Sequence, residues 1–297
     1  MALTIPLVTD ISSKSVGLEI WMSRTVEKAE RVQPDWDPEE VHDLRVALRR
    51  CRSMADALSE VNPGPGWRKL KRESREVFHA LGDLRDTQVE RARVKKLGAS
   101  GDPVRKRMLR WLSLQENQHR NSADQSIDRF DRKEWKKLSR KLPAKAHFFP
   151  QGSIVFQRLA LARLNEAVEL DRQARQRRSS AAWHRLRIGL KNFRYLVENF
   201  LPRHYDLWAA DLKWMQDVLG YVHDLDVLRR DIPENVSRLD PGIVAPWLER
   251  IDRERRSLLQ EFLAKSSGPE SPWLTWRAGF QWGHTLVTTP LAVRRTA

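Results

Sequence analysis

The sequence predicts an all-α protein built from two related halves. Nearly every long segment places its apolar residues at helical spacing, and no segment shows a convincing strand-like alternation. Proline, glycine and short polar stretches separate these segments, as is typical of helices joined by turns. A spaced set of basic residues also occurs twice, which predicts a duplicated helical unit.

The first half contains five predicted helices whose boundaries follow from local signals. Asp37, Pro38 and Glu40 supply an N-cap, a proline at the first helical position and a glutamate at the third. The run from Asn62 to Gly66 then breaks the chain. The helices are predicted at residues 15–31, from residue 38 to before residue 62, at 67–97 with a disturbance at Gly82, at 103–130 and at 133–141.

The second half follows a junction at residues 142–153, where the helical pattern stops. Ser179 and Ser180 are candidate caps for the helix that carries the second basic set, and Pro202 is expected to end that helix. Other helices are predicted at 154–177, 204–230 and 241–265. The expected domain spans residues 13–265, with halves at 13–141 and 153–265, and an aromatic helical extension at 270–297 is expected to pack over a bundle end.

The repeated basic residues are spaced by steps of three, four and three. Such residues are neighbours along one side of an α-helix. On a helical wheel each set covers about a quarter of the circumference and borders the apolar stripe, so it should line a groove or pore between helices. Like charges in one row repel, which favours a polyanion as the ligand. The two sets are His42, Arg45, Arg49 and Arg52, and His184, Arg187, Lys191 and Arg194.

The helix after each basic set extends the repeat. Residues 74–89 align with residues 212–227, so Arg75 corresponds to Lys213. Arg72 and Arg75 belong to a further row of basic residues at helical spacing, which predicts a second cationic edge. The alignment also pairs Gly82 with Gly220, and Asp86 with Asp224, whose carboxylates are predicted to be structural partners or caps.

These residue types suit phosphate. Guanidinium groups bind phosphate oxygens with two hydrogen bonds, whereas lysine contributes a mobile point charge. Histidine among cations should be harder to protonate when the site is empty, and a bound polyanion would reverse this effect. The alternative is a solvated basic helix face, but the duplication in matching register argues against it.

Composition limits the classes of function. The formal net charge is +15, and both halves are basic, which favours nucleic acid, acidic membranes or phosphate polymers as partners. The single cysteine, Cys51, excludes an internal disulfide and a cysteine-based metal site, and its place on an apolar stripe predicts a core residue. No signal peptide and no run of about 18 apolar residues is found, so a cytoplasmic protein without a membrane span is expected.

At the two basic sets, and at the run from Ala80 to Asp86, the chain resembles the CHAD family, the conserved histidine α-helical domain. The resemblance implies two four-helix bundles related by pseudo-twofold symmetry around a basic central channel. It also implies binding of inorganic polyphosphate, recruitment to polyphosphate granules and no catalytic activity. Polyphosphate contacts carry over by position to His42, Arg45, Arg49, Arg52, Arg75, His184, Arg187, Lys191, Arg194 and Lys213.

This sequence departs from an even repeat at two positions. Asn192 stands where the first half has Arg50, although that position points away from the basic row. Asp217 corresponds to His79, so the cationic edge of the later helix is weaker in the second half. We therefore expect the two walls of the groove to bind unequally.

Non-specific nucleic-acid binding is the main alternative function. Twelve tryptophans could suggest base stacking, but Trp21, Trp183, Trp208 and Trp214 lie among apolar neighbours at helical spacing and are predicted to belong to the core. The sequence contains no zinc-finger or RNA-recognition signature, so this alternative depends on charge alone.

Catalysis and membrane binding have less support. His42 and Asp43, like His223 and Asp224, are adjacent in sequence, and adjacent helix residues diverge by about 100° and do not converge on one metal ion. No enzyme activity, metal or cofactor is therefore expected. Binding to a membrane surface would need an exposed bulky apolar helix face, and none is found. The sequence makes no prediction of an oligomeric state.

Overall fold

The computed structural model describes residues 17–32 and 35–281, and within these ranges it contains helices and no strand. The expected helix start at residue 15 and the extension beyond residue 281 lie outside the described residues. The helices are α1 Leu18–Arg31, α2 Pro38–Val61, α3 Pro65–Glu73, α4 Arg75–Leu97, α5 Pro103–Asp128, α6 Arg132–Ala146, α7 Ile154–Arg177, α8 Ser180–Phe200, α9 Pro202–Asn235, α10 Pro241–Lys265 and α11 Pro272–Gln281.

The helix that carries the first basic set begins as its sequence predicts. The Asp37 carboxylate accepts hydrogen bonds from the backbone N–H groups of Glu39 and Glu40 at 2.9 and 3.2 Å. These bonds satisfy two of the free donors at the start of α2, and Pro38 occupies the first turn, where a missing N–H costs nothing. The all-α prediction is confirmed.

The prediction of one helix over 67–97 with a disturbance at Gly82 is wrong. The break lies at Ser74, between α3 and α4, and α4 runs through Gly82 without interruption. The buried Ser74 hydroxyl donates to the Leu70 carbonyl at 2.8 Å and accepts a bond from the Arg52 guanidinium at 3.0 Å. A side-chain network therefore stabilises this junction, and glycine is not its cause.

Two further boundaries differ from the sequence prediction because proline is tolerated near helix ends. α6 continues past residue 141 to Ala146, with Pro143 buried in its last turns. α9 begins at Pro202, two residues before the predicted start, and extends to Asn235. Proline is well suited to the first turn of a helix, and burial of Leu142 and Pro143 offsets the lost hydrogen bond in α6.

Helix packing repeats between the two halves. α1 packs against α2 and α6, just as α7 packs against α8 and α11. α9 corresponds to both α3 and α4 of the first half. It contacts α8 and α11 as α3 contacts α2 and α6, and it packs on α10 as α4 packs on α5. α11 therefore has in the second half the place that α6 has in the first. Each of these two helices contributes a completely buried tryptophan, Trp135 from α6 and Trp276 from α11.

The halves share their apolar cores. The larger cluster of buried residues includes side chains from α2 and α8, and the smaller cluster combines α4 and α5 with α9 and α10. Cys51, Trp183 and Trp208 are buried in the larger cluster, while Trp21 and Trp214 pack against it partly buried, which confirms their predicted place in the core. The described part of the chain includes no helix long and apolar enough to cross a membrane.

Polar contacts also join the halves where α2 meets α8. The Arg50 guanidinium forms an ion pair with Glu198 and donates to the Asn199 side chain at 2.8 Å. The Asn199 amide in turn donates to the Ser53 hydroxyl at 2.9 Å. These contacts hold the two helices side by side and so determine the relative position of the two basic sets.

Candidate functional site

The packing of α2 against α8 brings four predicted residues into one cluster. Arg45 and Arg49 come from α2, Arg187 and Lys191 come from α8, and we call these four residues the central basic cluster. The Arg49 guanidinium carbon lies 4.9 Å from the centre of the Tyr195 ring of α8, a cation–π contact between the helices. Because the two basic rows meet here, the positive charges of both helices contribute to the electrostatic potential at one place.

Lys191 shows how strongly these charges interact. Burial, followed by repulsion from Arg187, Arg49 and Arg45, lowers the pKa of the Lys191 ammonium to about 7. Asp86 attracts this ammonium but offsets only part of the effect. A lysine with such a pKa is only partly charged at neutral pH, and a bound anion would restore its proton.

Within the described residues the central basic cluster forms no ion pair, although Asp86 attracts Arg45 and Lys191. Arg49, Arg187 and Lys191 are half-buried, yet none of them has an ion pair with a described carboxylate. The Nε atoms of Arg49 and Arg187 are buried without any hydrogen-bond partner among the residues that the structure describes. Buried charges are normally paired, so these three groups favour an external anion.

Arg45 is held in a fixed position at the edge of the cluster. Its guanidinium donates to the Phe78 carbonyl at 3.2 Å and lies 5.2 Å from the centre of the Phe78 ring. Gly82 makes room for it, because a Cβ at that position would lie 2.7 Å from Arg45 Nη1. Burial lowers the Arg45 pKa, and Asp86 counteracts this shift.

The outermost arginine of each row already has protein partners. Arg52 donates to the Lys71 carbonyl at 2.6 Å and to the Ser74 hydroxyl, and thereby stabilises the junction between α3 and α4. Arg194 donates to the Gln216 side chain at 2.9 Å and lies 3.7 Å from the Glu198 carboxylate. Both arginines therefore position neighbouring helices as well as contributing charge.

The three predicted residues on the following helices lie further out. Arg72 and Lys213 are exposed, and each pairs with a carboxylate of its own helix, Arg72 with Glu73 at 3.1 Å and Lys213 with Asp217. Arg75 is also exposed, and its charge lowers the pKa of Arg52 after the larger effect of burial. Within the described residues neither Arg72 nor Lys213 forms a hydrogen bond or an ion pair with the central basic cluster.

The two predicted histidines flank the cluster. Burial, Arg85 and Arg49 lower the pKa of His42, and burial, Arg187 and Lys191 lower that of His184. His184 also contacts His223 of α9, with 3.2 Å between the two Nδ1 atoms. Sequence reasoning considered His223 only as a metal ligand, although the repeat alignment, which places it opposite Arg85, could have identified it.

Carboxylates border the site on the side of α4 and α9. Asp224 forms an ion pair with Arg93 at 3.0 Å and so links these two helices, as its predicted structural role requires. Burial and the nearby Asp231, Asp224 and Asp86 raise the pKa of Glu90 to about 8. Among the described residues no group of three or more histidine, cysteine or acidic side chains could hold a metal ion.

A comparison with known protein families finds a match over most of the chain. The model of the CHAD domain matches residues 22–232, which include both basic sets. The chain belongs to the CHAD family. A crystal structure of the CHAD domain from the plant Ricinus communis is similar to it, with a TM-score of 0.55 and 22% identity over 89% of each chain. At this identity the similarity shows a shared fold. The comparison with curated proteins found no match.

The CHAD match begins within α1 and ends near the C-terminus of α9. It therefore contains the central basic cluster, His42 and the His184–His223 contact. α10 and α11 follow the matched region but belong to the same apolar cores, because Phe262 and Trp276 are completely buried in the larger cluster. The CHAD domain and these last two helices are packed as one unit.

Proposed function

We propose that this CHAD protein binds inorganic polyphosphate at the central basic cluster. The observation that carries the proposal is that Arg49, Arg187 and Lys191, half-buried cations from two different helices, form no ion pair with a described carboxylate. The resemblance of the sequence to a family associated with polyphosphate supports the same ligand.

A linear polymer suits the shape of the site. Each basic row covers ten residue steps of helix, which is about 15 Å at 1.5 Å per residue. A single phosphate ion would contact only a few cations of such a row, whereas a chain of phosphates can follow it from the histidine to the outer arginine. Arg52 and Arg194 are already held in place, so they would meet the polymer with little further loss of side-chain entropy.

Polyphosphate is favoured over nucleic acid because the cluster offers charge without exposed aromatic surfaces for stacking. Phe78 and Tyr195 are half-buried and lie against guanidinium groups of the cluster. Most of the described tryptophans are buried in the apolar cores. Single-stranded nucleic acid is usually held by base–aromatic stacking, which this arrangement does not provide.

The proposed role is binding without catalysis, with recruitment to polyphosphate granules in the cytoplasm. The acidic neighbours of the histidines are engaged elsewhere, since Asp43 pairs with Lys28 at 2.8 Å and Asp224 with Arg93. They are therefore poorly placed to act with a histidine on a bound phosphate. A fluorescently tagged protein should colocalise with granules only when its central basic cluster is intact.

The decisive experiment compares two fourfold variants that remove equal charge. Replacing the central basic cluster with alanine (R45A, R49A, R187A, K191A) should weaken polyphosphate binding at least about a hundredfold, because each charge-assisted hydrogen bond contributes about 1.5–3 kcal/mol. The control (K133A, K136A, R140A, K141A) removes four exposed cations from α6. Equal losses in both variants would mean that binding is diffuse electrostatic attraction.

A competition measurement separates the two candidate ligands. Long-chain polyphosphate and double-stranded DNA of equal total charge are titrated against the intact protein over a series of salt concentrations. We expect polyphosphate to bind much more tightly at every concentration, and both affinities to fall with salt as counter-ions are released. Equal affinities throughout would support non-specific nucleic-acid binding.

A further inference from the structure

His184 and His223 form a direct contact between α8 and α9. Their Nδ1 atoms are 3.2 Å apart and their ring centres 4.6 Å apart. A neutral imidazole has one nitrogen that donates and one that accepts. A hydrogen bond between two Nδ1 atoms therefore needs one ring whose Nδ1 carries no proton, and it is lost when both rings are charged.

The surroundings of this pair disfavour the charged form of both rings in the empty protein. Arg187 and Lys191 of α8 are the nearby cations, and Asp226 of α9 is the nearby anion. The Asp226 carboxylate already accepts hydrogen bonds from Ser180 at 2.9 Å and from Arg255 of α10 at 2.6 Å. Burial and the two cations lower the pKa of His184, and that of His223 to about 4.

The internal repeat shows what His223 replaces. The alignment that pairs Arg75 with Lys213 places His223 opposite Arg85, whose charge acts on His42. The first half thus carries a permanent cation beside its histidine, whereas the second half carries a second titratable ring. At neutral pH the place that Arg85 gives to a permanent charge is therefore held in the second half by an uncharged ring.

We propose that His223 is a further polyanion-contacting residue, and that the His184–His223 pair takes up protons when phosphate binds at its end of the groove. This inference rests on the proposed function. Phosphate oxygens would accept hydrogen bonds from both rings, and protons from solvent would make both rings donors, so the bond between the two Nδ1 atoms opens. Because linkage is reciprocal, the affinity for polyphosphate then increases as the solution is acidified.

Calorimetric titration with long-chain polyphosphate tests the inference. Measurements at pH 6 in two buffers of different ionisation enthalpy count the protons taken up on binding. We expect the intact protein to take up about one proton more than His223→Gln, which can hydrogen-bond but cannot be charged. His223→Arg should also lose this uptake while binding more tightly than the intact protein at pH 7. His147→Arg adds the same charge at an exposed histidine outside the groove and should behave as the intact protein does.

Two results would overturn the inference while leaving polyphosphate binding in place. One is equal proton uptake by the intact protein and His223→Gln. The other is an NMR titration in which the His223 ring of the empty protein becomes charged near the ordinary histidine pKa. If the intact protein binds no polyphosphate at any pH, the proposed function fails and this inference fails with it. Circular dichroism of each variant verifies that its helices are retained.

Discussion

At Lys191 the charges of the two halves act directly on each other. Its pKa is about 7 in the folded protein, compared with an ordinary value of 10.5. Between these values the unfolded chain binds more protons than the folded one, so this group increases stability as the pH rises from 7 towards 10.5. A bound polyanion favours the charged ammonium, and binding should be coupled to proton uptake in the same range.

We expect polyphosphate affinity to fall as the pH rises from 7 to 9, because the Lys191 ammonium must be protonated in the complex. The Lys191→Met variant should bind more weakly at pH 7 and lose most of this dependence. Glu90 also titrates in this pH range, with a pKa of about 8, but it is present in both the intact protein and Lys191→Met. Lys213→Met, which removes an exposed lysine, is the control. Binding titrations at three pH values measure this dependence. If the affinity of Lys191→Met falls with pH as steeply as that of the intact protein, Lys191 is not the group that takes up the proton.

At the scale of single elements, α4 shows how one small residue shapes the site. Gly82 was a reasonable candidate for a helix break, but the helix continues through it. The missing side chain instead admits the guanidinium of Arg45 against the helix. A Cβ at its repeat counterpart Gly220 would meet no side chain of a neighbouring helix within 4 Å, so the same residue in α9 borders open space. The repeated glycines therefore have different surroundings.

Substituting these two glycines should separate binding from stability. Gly82→Ala displaces the flexible end of Arg45, so it should weaken polyphosphate binding several-fold. Its free energy of unfolding should change by less than about 1 kcal/mol. Alanine is the better helix former by about that amount, and the displacement of Arg45 offsets this gain. Gly220→Ala should be up to about 1 kcal/mol more stable and bind normally. Urea unfolding and a binding titration measure both quantities, and equal affinities of the two variants would show that Arg45 does not need its observed position.

At the scale of the whole molecule, the two halves are joined into one structure. α2 packs on α8, and the smaller apolar cluster combines helices of both halves. The ion pairs Arg50–Glu198 and Arg93–Asp224 cross the same boundary. α11 completes the second half, since its Trp276 packs near Phe193 and Trp208 with ring centres 5.4 and 6.4 Å apart. The aromatic C-terminal region up to residue 281 is therefore part of the core.

Loss of Trp276 should consequently destabilise the entire molecule. Truncating a completely buried tryptophan costs about 3–5 kcal/mol, so Trp276→Ala should lower the urea midpoint strongly. Leu274→Ala removes a half-exposed side chain from the same helix and should have little effect. We expect circular dichroism and tryptophan fluorescence to report the same midpoint in each protein. A separate early transition in Trp276→Ala would mean that α11 unfolds independently of the rest.

The sequence predicts much of the site because helical spacing alone places residues on one side of a helix. The central basic cluster combines residues of both repeated sets, and the spacing identified all four of them. It could not show that Arg52 and Arg194 have protein partners, since Ser74 lies at the junction of α3 and α4 and Gln216 lies in α9. Arg72 was selected by helical spacing and Lys213 by its alignment with Arg75, but both side chains are exposed to solvent.

By itself the sequence determined the helical class and the two basic sets, and it predicted the duplication, because these follow from periodicities and local signals within each segment. The tertiary structure decided which of the described cations form no ion pair, where the long helix breaks, and that His223 lies against His184. These features depend on contacts between residues distant in the chain, and the packing of α2 on α8 and of α8 on α9 creates them.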